Sequence, residues 1–115
     1  MGTLEIQIEQ RGGRVVVRLI GEFDIAGIRD FQRAVSSVEE GAKIVCIDLR
    51  GLSFMGASGL RCLLDVQARS RRNGFSLVVV KGPSLVQRVF EMTGVDQRLV
   101  MLDDPAEGNG KDPAV

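Results

Sequence analysis

The chain begins with alternating hydrophobic and polar residues. Leu4, Ile6 and Ile8 are each followed by a polar residue, and this period of two is typical of a β-strand with one buried and one solvated face. Gly12-Gly13 then favours a tight turn, and the longer apolar run over residues 15–20 predicts a second, more deeply buried strand. Together these segments predict a β-hairpin whose first strand lies at the side of a sheet.

Apolar residues at helical spacing indicate three α-helices farther along the chain. The predicted helices lie near Ile25–Glu39, from Ser58 to about Asn73, and at Pro83–Thr93. The apolar runs between them predict strands at Ile44–Leu49, ending near Asp48, and at Phe75–Val80 and Leu99–Leu102. Because helical crossovers join parallel strands, the order ββαβαβαβ predicts an α/β fold with a mixed β-sheet that is opened by the hairpin.

Length and composition fit one domain. The chain has 115 residues and a mass of 12.5 kDa, within the usual range for a single domain, and its 44% hydrophobic residues can form a core. Residues 103–115 are rich in glycine, proline and charge, which leaves little apolar surface to bury. We therefore expect a folded domain over residues 1–102 and a flexible C-terminal tail over 103–115.

Charge and hydropathy argue against two classes of partner. Fifteen basic and fifteen acidic side chains give a net charge of zero, without the basic excess that binding to a phosphate backbone needs. No apolar run approaches the roughly 20 residues that cross a bilayer, and the first residues lack the apolar core of a signal peptide. We expect a cytoplasmic protein that binds neither nucleic acid nor membrane.

The sequence contains no histidine, which excludes a Ser-His-Asp triad, a Cys-His pair and histidine-ligated zinc. Its two cysteines, Cys46 and Cys62, fall in a predicted buried strand and a predicted helix, so their spacing suits neither a redox pair nor a metal knuckle. Both are interpreted as reduced core residues. We predict no metal and no cofactor for this chain.

Chemistry is concentrated in the segment Asp48–Leu60, between a buried strand and a helix, where α/β sheets place their sites. Ser58 is predicted in the first turn of that helix, flanked by Gly56 and Gly59, which would let another backbone approach closely. A helix N-terminus tolerates negative charge, so a phosphate on Ser58 would leave the fold intact. The simpler interpretation is that Ser58 only caps the helix, with a gain of about 1 kcal/mol.

A second candidate segment is Gly21-Glu22-Phe23-Asp24, at the junction of the second strand and the first helix. Asp24 is either a helix cap or a neighbour of Ser58, because adjacent parallel strands bring their carboxyl ends to one edge of the sheet. A catalytic serine is disfavoured. The run from Gly56 to Leu60 only imitates a nucleophile elbow, with its second glycine one residue early and no histidine to activate the hydroxyl.

These motifs together resemble the STAS domain of bacterial anti-sigma factor antagonists, a resemblance that covers nearly all of residues 4–102. It is carried by Gly21-Glu22-Phe23-Asp24, Ile44–Leu49, Phe54-Met55-Gly56-Ala57-Ser58-Gly59-Leu60, and Gly82-Pro83 with Val89, Phe90 and Gly94. Either the Gly21–Asp24 motif or the Phe54–Leu60 motif alone would be weak, whereas both at this separation are fairly specific.

The resemblance implies a non-enzymatic protein that binds an anti-sigma factor and thereby frees a sigma factor for transcription. It implies that the anti-sigma factor is also a serine kinase that phosphorylates Ser58, that the phosphorylated form no longer binds productively, and that a phosphatase restores it. Asp24, Gly56, Ala57, Ser58 and Gly59 would then form the partner-binding site. Any ATP or magnesium would belong to the kinase.

The chain departs from the family pattern just before the acceptor. Gly56 and Ala57 stand where the family commonly carries an aspartate and a serine or threonine, so the loop loses a charge and a hydroxyl. This departure favours an alternative, in which a STAS module that is never phosphorylated acts as a constitutive scaffold subunit of a signalling or transport assembly. A third hypothesis, a small hydrolase or ligand-binding enzyme using Ser58 or a cysteine, is weakened by the missing histidine.

Overall fold

The structure, a computed structural model, describes residues 3–104 and contains one mixed sheet with three α-helices in that range. Its strands are β1 (Leu4–Arg11), β2 (Arg14–Phe23), β3 (Ile44–Met55), β4 (Ser76–Val80) and β5 (Val100–Leu102), and its helices are α1 (Ile28–Glu39), α2 (Ala57–Asn73) and α3 (Ser84–Thr93). Single 3₁₀ turns at Ile25–Gly27 and Val95–Gln97 precede α1 and β5. The predicted order of strands and α-helices is confirmed.

The strands lie in the sheet in chain order, β1-β2-β3-β4-β5. The hairpin pairs β1 with β2 antiparallel, from Leu4 opposite Gly21 to Arg11 opposite Arg14. The other three pairs are parallel, as the predicted crossovers require. Because such crossovers are right-handed and the strands follow in order, α1, α2 and α3 all lie on one face of the sheet.

The main core lies between that face and the helices. Phe23, Phe31 and Phe90 are fully buried there, and the rings of Phe23 and Phe31 pack with centroids 4.8 Å apart. In α1 the buried residues Phe31, Val35 and Val38 follow the spacing of one helical face. The opposite face of the sheet carries a smaller cluster of buried strand residues, Val16, Ile44, Cys46, Val78 and Val80.

The predicted end of the third strand is wrong. The sequence predicts that it ends near Asp48 and that a loop follows, whereas β3 continues to Met55 and pairs with β2 as far as Phe23. Two register shifts in this pairing, between Arg18 and Ile20 and between Gly21 and Glu22, mark β-bulges. In each shift β3 has one residue more than β2, and Ser53 is the extra residue of the second shift.

Asp48 stabilises the first bulge although its side chain is buried. Its Oδ1 accepts hydrogen bonds from the Arg50 backbone N–H at 3.0 Å and from Arg50 Nε at 3.1 Å, and its Oδ2 accepts from Arg18 Nε at 3.2 Å. Burial acts to raise the pKa of the Asp48 carboxyl, but the hydrogen bonds and charge of Arg50, followed by Arg18, outweigh it and hold the pKa below its ordinary value. The carboxylate therefore remains charged inside the sheet.

The predicted tail, residues 103–115, lies outside the described residues apart from Asp103 and Asp104. Between residues 3 and 104, no helix is both long enough and apolar enough to cross a membrane.

Candidate functional site

The site lies where β2 and β3 end side by side. Phe23 and Met55, the last residues of these strands, are paired, and the Gly56 backbone N–H donates to the Phe23 carbonyl oxygen at 2.9 Å. Asp24 and Gly56 directly follow the paired residues, so the two predicted motifs meet at the carboxyl edge of the parallel strands. The continuation of β3 beyond Asp48 is what carries the second motif to this position.

Ser58 and Asp24 contact each other directly. The Ser58 hydroxyl Oγ donates a hydrogen bond to Asp24 Oδ1 at 3.1 Å, as the topology predicts. Ser58 lies in the first turn of α2, and Asp24 immediately precedes the 3₁₀ turn at Ile25–Gly27. The site thus presents one hydroxyl and one carboxylate on an accessible edge of the domain.

The N-cap interpretation is wrong for Ser58, and for Asp24 it is correct in position only. The N-cap residue of α2 is Gly56, and no side chain caps that helix. Asp24 is the N-cap residue of the 3₁₀ turn, but its side chain makes no capping hydrogen bond there. The polar groups of Ser58 and Asp24 therefore bind each other instead of the helix ends.

The remaining predicted site residues surround this pair. Ala57 is exposed and is the first residue of α2. Gly59 is buried, and an added Cβ there would lie 2.8 Å from the Phe23 carbonyl oxygen and 3.0 Å from Met55 Sδ. Because side chains do not tolerate such contacts, Gly59 allows α2 to pack closely on the ends of β2 and β3. Gly56 is also buried, against the Asp24 carboxylate.

Sequence reasoning missed a cleft beside Ser58, between α1 and α2, with a volume of about 350 Å³. It is lined by Ile28, Gln32, Ala57, Ser58, Arg61, Cys62 and Asp65. Arg61, Cys62 and Asp65 follow Ser58 at helical spacing, a signal in the sequence that could have identified them. Ile25, next to Asp24, is 77% exposed. Apolar and charged groups are therefore both available around the hydroxyl.

The cysteines do not suit nucleophilic chemistry. Both are free and buried, as predicted. Burial raises the pKa of the Cys62 thiol at the cleft, with Asp65 adding to the effect, and burial raises the pKa of Cys46 to about 11. Both thiols therefore stay protonated near neutral pH, and a protonated thiol is a poor nucleophile. Among residues 3–104 no group of three or more Cys, Asp or Glu side chains is arranged to hold a metal ion.

Comparison with known proteins gives consistent matches over nearly the whole chain. The family model described as "Mlab, STAS domain" matches residues 6–103. A Mycobacterium tuberculosis protein provisionally named as an anti-anti-sigma factor is 26% identical over 113 residues, which cover 94% of this chain and 76% of that protein.

Solved structures of low sequence identity share the fold. An anti-sigma factor antagonist from Mycobacterium paratuberculosis superposes with a TM-score of 0.80 at 22% identity, covering 94% of this chain and 92% of the other. The anti-sigma factor antagonist SpoIIAA in its unphosphorylated form gives 0.80 at 19% identity, covering 96% and 98%. The phosphorylated form of SpoIIAA from Bacillus gives 0.72 at 19% identity, covering 93% and 98%.

Proposed function

From the premise that this chain belongs to the STAS domain family, we propose that it is an anti-sigma factor antagonist. In this role it has no catalytic activity of its own. It acts in the cytoplasm, where it binds an anti-sigma factor and so releases a sigma factor for transcription. The matched M. tuberculosis protein and the solved antagonists that share the fold support this assignment.

We further propose that phosphorylation of Ser58 switches this binding off. The observation that carries the proposal is the hydrogen bond from Ser58 to the Asp24 carboxylate on an accessible edge. A phosphate removes the donated proton and adds about −1.5 to −2 charges at that point. SpoIIAA, which shares this fold, exists in a phosphorylated and an unphosphorylated form.

The expected cost to partner binding follows from Coulomb's law. Two unit charges about 4 Å apart repel by about 1 kcal/mol in bulk water. A phosphate dianion beside Asp24 is repelled by about 2 kcal/mol in water, in the free and the bound protein alike. The cost to binding is the increase in this repulsion at an interface from which water is excluded, together with the desolvation of the phosphate. A loss of about 2.8 kcal/mol lowers affinity about a hundredfold. The kinase would be the anti-sigma factor itself, and a phosphatase would reverse the modification.

The partner surface in this proposal comprises Asp24, Gly56, Ala57, Ser58 and Gly59, extended by the exposed Ile25 and by the cleft between α1 and α2. Ile25 offers apolar area of the kind found at the centre of interfaces, and Arg61 and Asp65 offer charges at the rim. Such a surface suits a partner that covers the Ser58 hydroxyl and the cleft together.

The proposal is tested by incubating the purified protein with a serine-kinase anti-sigma factor from the same organism and Mg-ATP, then measuring intact mass and mapping the site. We expect one phosphate on Ser58 and weaker capture of the anti-sigma factor by the phosphorylated form. Ser58→Ala should accept no phosphate. Ser53 is the control, because its exposed hydroxyl lies nearby and donates to the Gly21 carbonyl oxygen at 3.1 Å. The variant Ser53→Ala should be phosphorylated like the wild type.

A second candidate function is a STAS subunit that is never phosphorylated and acts as a constitutive adaptor. Gly56 and Ala57 favour it, because the loop lacks the charge and hydroxyl that commonly precede the acceptor in the resembled family. In that case Ser58→Asp leaves partner capture unchanged and no phosphate appears. In the leading proposal Ser58→Asp loses most of the binding, so the same pull-down distinguishes the two.

A further inference from the structure

We propose that Gly56 is a positioning residue for Ser58. Because Gly56 has no side chain, it leaves the space in which the Asp24 carboxylate accepts the Ser58 hydroxyl. The structural part of this inference stands on the contacts alone, whereas its consequence for phosphorylation rests on the function proposed above.

The space at Gly56 is filled by Asp24. A Cβ built on Gly56 would overlap Asp24 Oδ1 and would lie 2.8 Å from Asp24 Cγ and 3.4 Å from Oδ2. Oδ1 is the same oxygen that accepts the Ser58 hydroxyl. Any side chain at position 56 would therefore compete for space with the atom that orients Ser58.

The backbone does not require a glycine at this position. Gly56 has φ −90° and ψ 170°, an extended conformation that every residue adopts readily. Gly21 is a contrasting case, because its φ of +104° disfavours all other residues. What a glycine at position 56 does provide is space for Asp24.

The N-cap position accepts a glycine but does not require one. Gly56 occupies the N-cap position of α2, where a serine, threonine, aspartate or asparagine would satisfy a free backbone N–H. The chain forgoes that side chain, and the carboxylate of Asp24 instead reaches the place beside Ser58 from the end of β2. Gly56 therefore differs from the aspartate that is common in the family at this position, and the Asp24 carboxylate occupies the space that a side chain there would take.

The consequence is a preferred orientation of the acceptor hydroxyl. A hydrogen bond to a charged acceptor is stronger than one between neutral groups, so the Ser58 hydroxyl is held toward Asp24 in preference to its other rotamers. Misplacement of a reacting group by about 1 Å can slow a reaction by up to about a hundredfold. Loss of the contact should therefore slow phosphorylation of Ser58 more than it weakens kinase binding.

The test compares Gly56→Ala with a matched control, Gly13→Ala, at the opposite end of β2. In the control the added methyl group meets the flexible Lys43 side chain at 3.2 Å. Gly13→Ala should keep the urea unfolding midpoint of the wild type. Gly56→Ala should lower it only modestly, because alanine is less favourable than glycine at an N-cap whereas the exposed Asp24 side chain can move away from the added methyl group. Crystal structures of the variants should show the contact between Ser58 Oγ and Asp24 Oδ1 lost in Gly56→Ala and kept in Gly13→Ala.

The kinetic measurement uses the serine-kinase anti-sigma factor and Mg-ATP. Gly56→Ala should lower kcat for Ser58 phosphorylation roughly tenfold with KM nearly unchanged, and Gly13→Ala should change neither. A retained contact, or an unchanged kcat with the contact broken, would overturn the inference. If wild-type protein accepts no phosphate, the phosphorylation switch fails, while the crystal structures still decide whether Gly56 positions Ser58.

Discussion

Substitution of Asp48 by asparagine should destabilise the domain strongly for a single polar change. Asp48 Oδ1 accepts two hydrogen bonds from Arg50, and Oδ2 accepts one from Arg50 Nη2 at 2.9 Å and one from Arg18 Nε at 3.2 Å. An asparagine keeps one acceptor oxygen and replaces the other with an NH₂ group, which faces donors. Two of the four hydrogen bonds are lost whichever way the amide is oriented.

The magnitude follows from these contacts. Hydrogen bonds to a charged group contribute about 1.5–3 kcal/mol each, so two lost bonds set an upper range of about 3–6 kcal/mol. The side chains of Arg18 and Arg50 are 34% and 49% exposed, so water can solvate them again and recover much of that loss. We expect a decrease of about 2 kcal/mol in the free energy of unfolding, equivalent to a fall in Tm of roughly 8–16 °C.

The pH dependence identifies the carboxylate as the cause. The pKa of Asp48 in the folded protein lies below its ordinary value of 3.8. Asp48 therefore stabilises the fold fully well above pH 3.8, and this contribution disappears as the pH falls through the lower, folded-state pKa. Urea unfolding of wild type and Asp48→Asn should differ by about 2 kcal/mol near pH 7, and by progressively less as the pH falls below 3.8.

A control isolates the effect of burial. Asp103→Asn removes a carboxylate that is 78% exposed and forms a 3.3 Å ion pair with Lys81, and exposed pairs contribute little to stability. It should change the unfolding midpoint only slightly. The assignment of Asp48 as a buried structural anion would be refuted by either of two results. One is a difference in the free energy of unfolding between wild type and Asp48→Asn below about 0.5 kcal/mol, and the other is a difference that does not decrease in acid.

Three further predictions follow from the core. Phe31→Ala removes a fully buried ring packed 4.8 Å from that of Phe23 and should cost about 3–5 kcal/mol in urea unfolding. Gly59→Ala forces a methyl group to 2.8 Å from the Phe23 carbonyl oxygen; it should cost about 1–3 kcal/mol and disturb the contact between Ser58 and Asp24 in a crystal structure. Because burial raises the pKa of both Cys46 and Cys62, an aromatic disulfide reagent near neutral pH should titrate both thiols in denaturant and react only slowly with the native protein.

Most of the fold could be predicted because its signals are local. Each of these signals lies within a few residues of the element it defines. Examples are the alternation of apolar and polar residues in β1, the helical spacing of apolar residues in α1, and Gly74 at the end of α2. The extension of β3 to Met55 could not be predicted in this way. The extension is made by pairing with β2, a strand distant in the chain, and one of the contacts between the two strands joins Arg18 to Asp48 across 30 residues.

The candidate site was likewise predictable from the sequence only in part. The meeting of Asp24 and Ser58 follows from topology alone, since parallel neighbouring strands end at one edge. The reason for Gly56 does not, because it depends on where the Asp24 carboxylate lies in three dimensions. The cleft also depends on packing, since Ile28 and Arg61 belong to different helices that meet only in the folded protein.

The architecture around Ser58 favours a switch that changes the surface and leaves the fold intact. The backbone of this region is held by the hydrogen bond from the Gly56 N–H to Phe23 and by the close packing of Gly59 on β2, and neither contact involves the Ser58 side chain. The N-terminus of α2 itself favours a negative charge. A phosphate on Ser58 therefore repels the Asp24 side chain without breaking any contact that positions α2. The exposed Asp24 side chain can move away from the phosphate, which limits the cost to stability. A partner that covers this edge must desolvate the phosphate and strengthens its repulsion from Asp24, so modification of one hydroxyl would lower affinity more than stability.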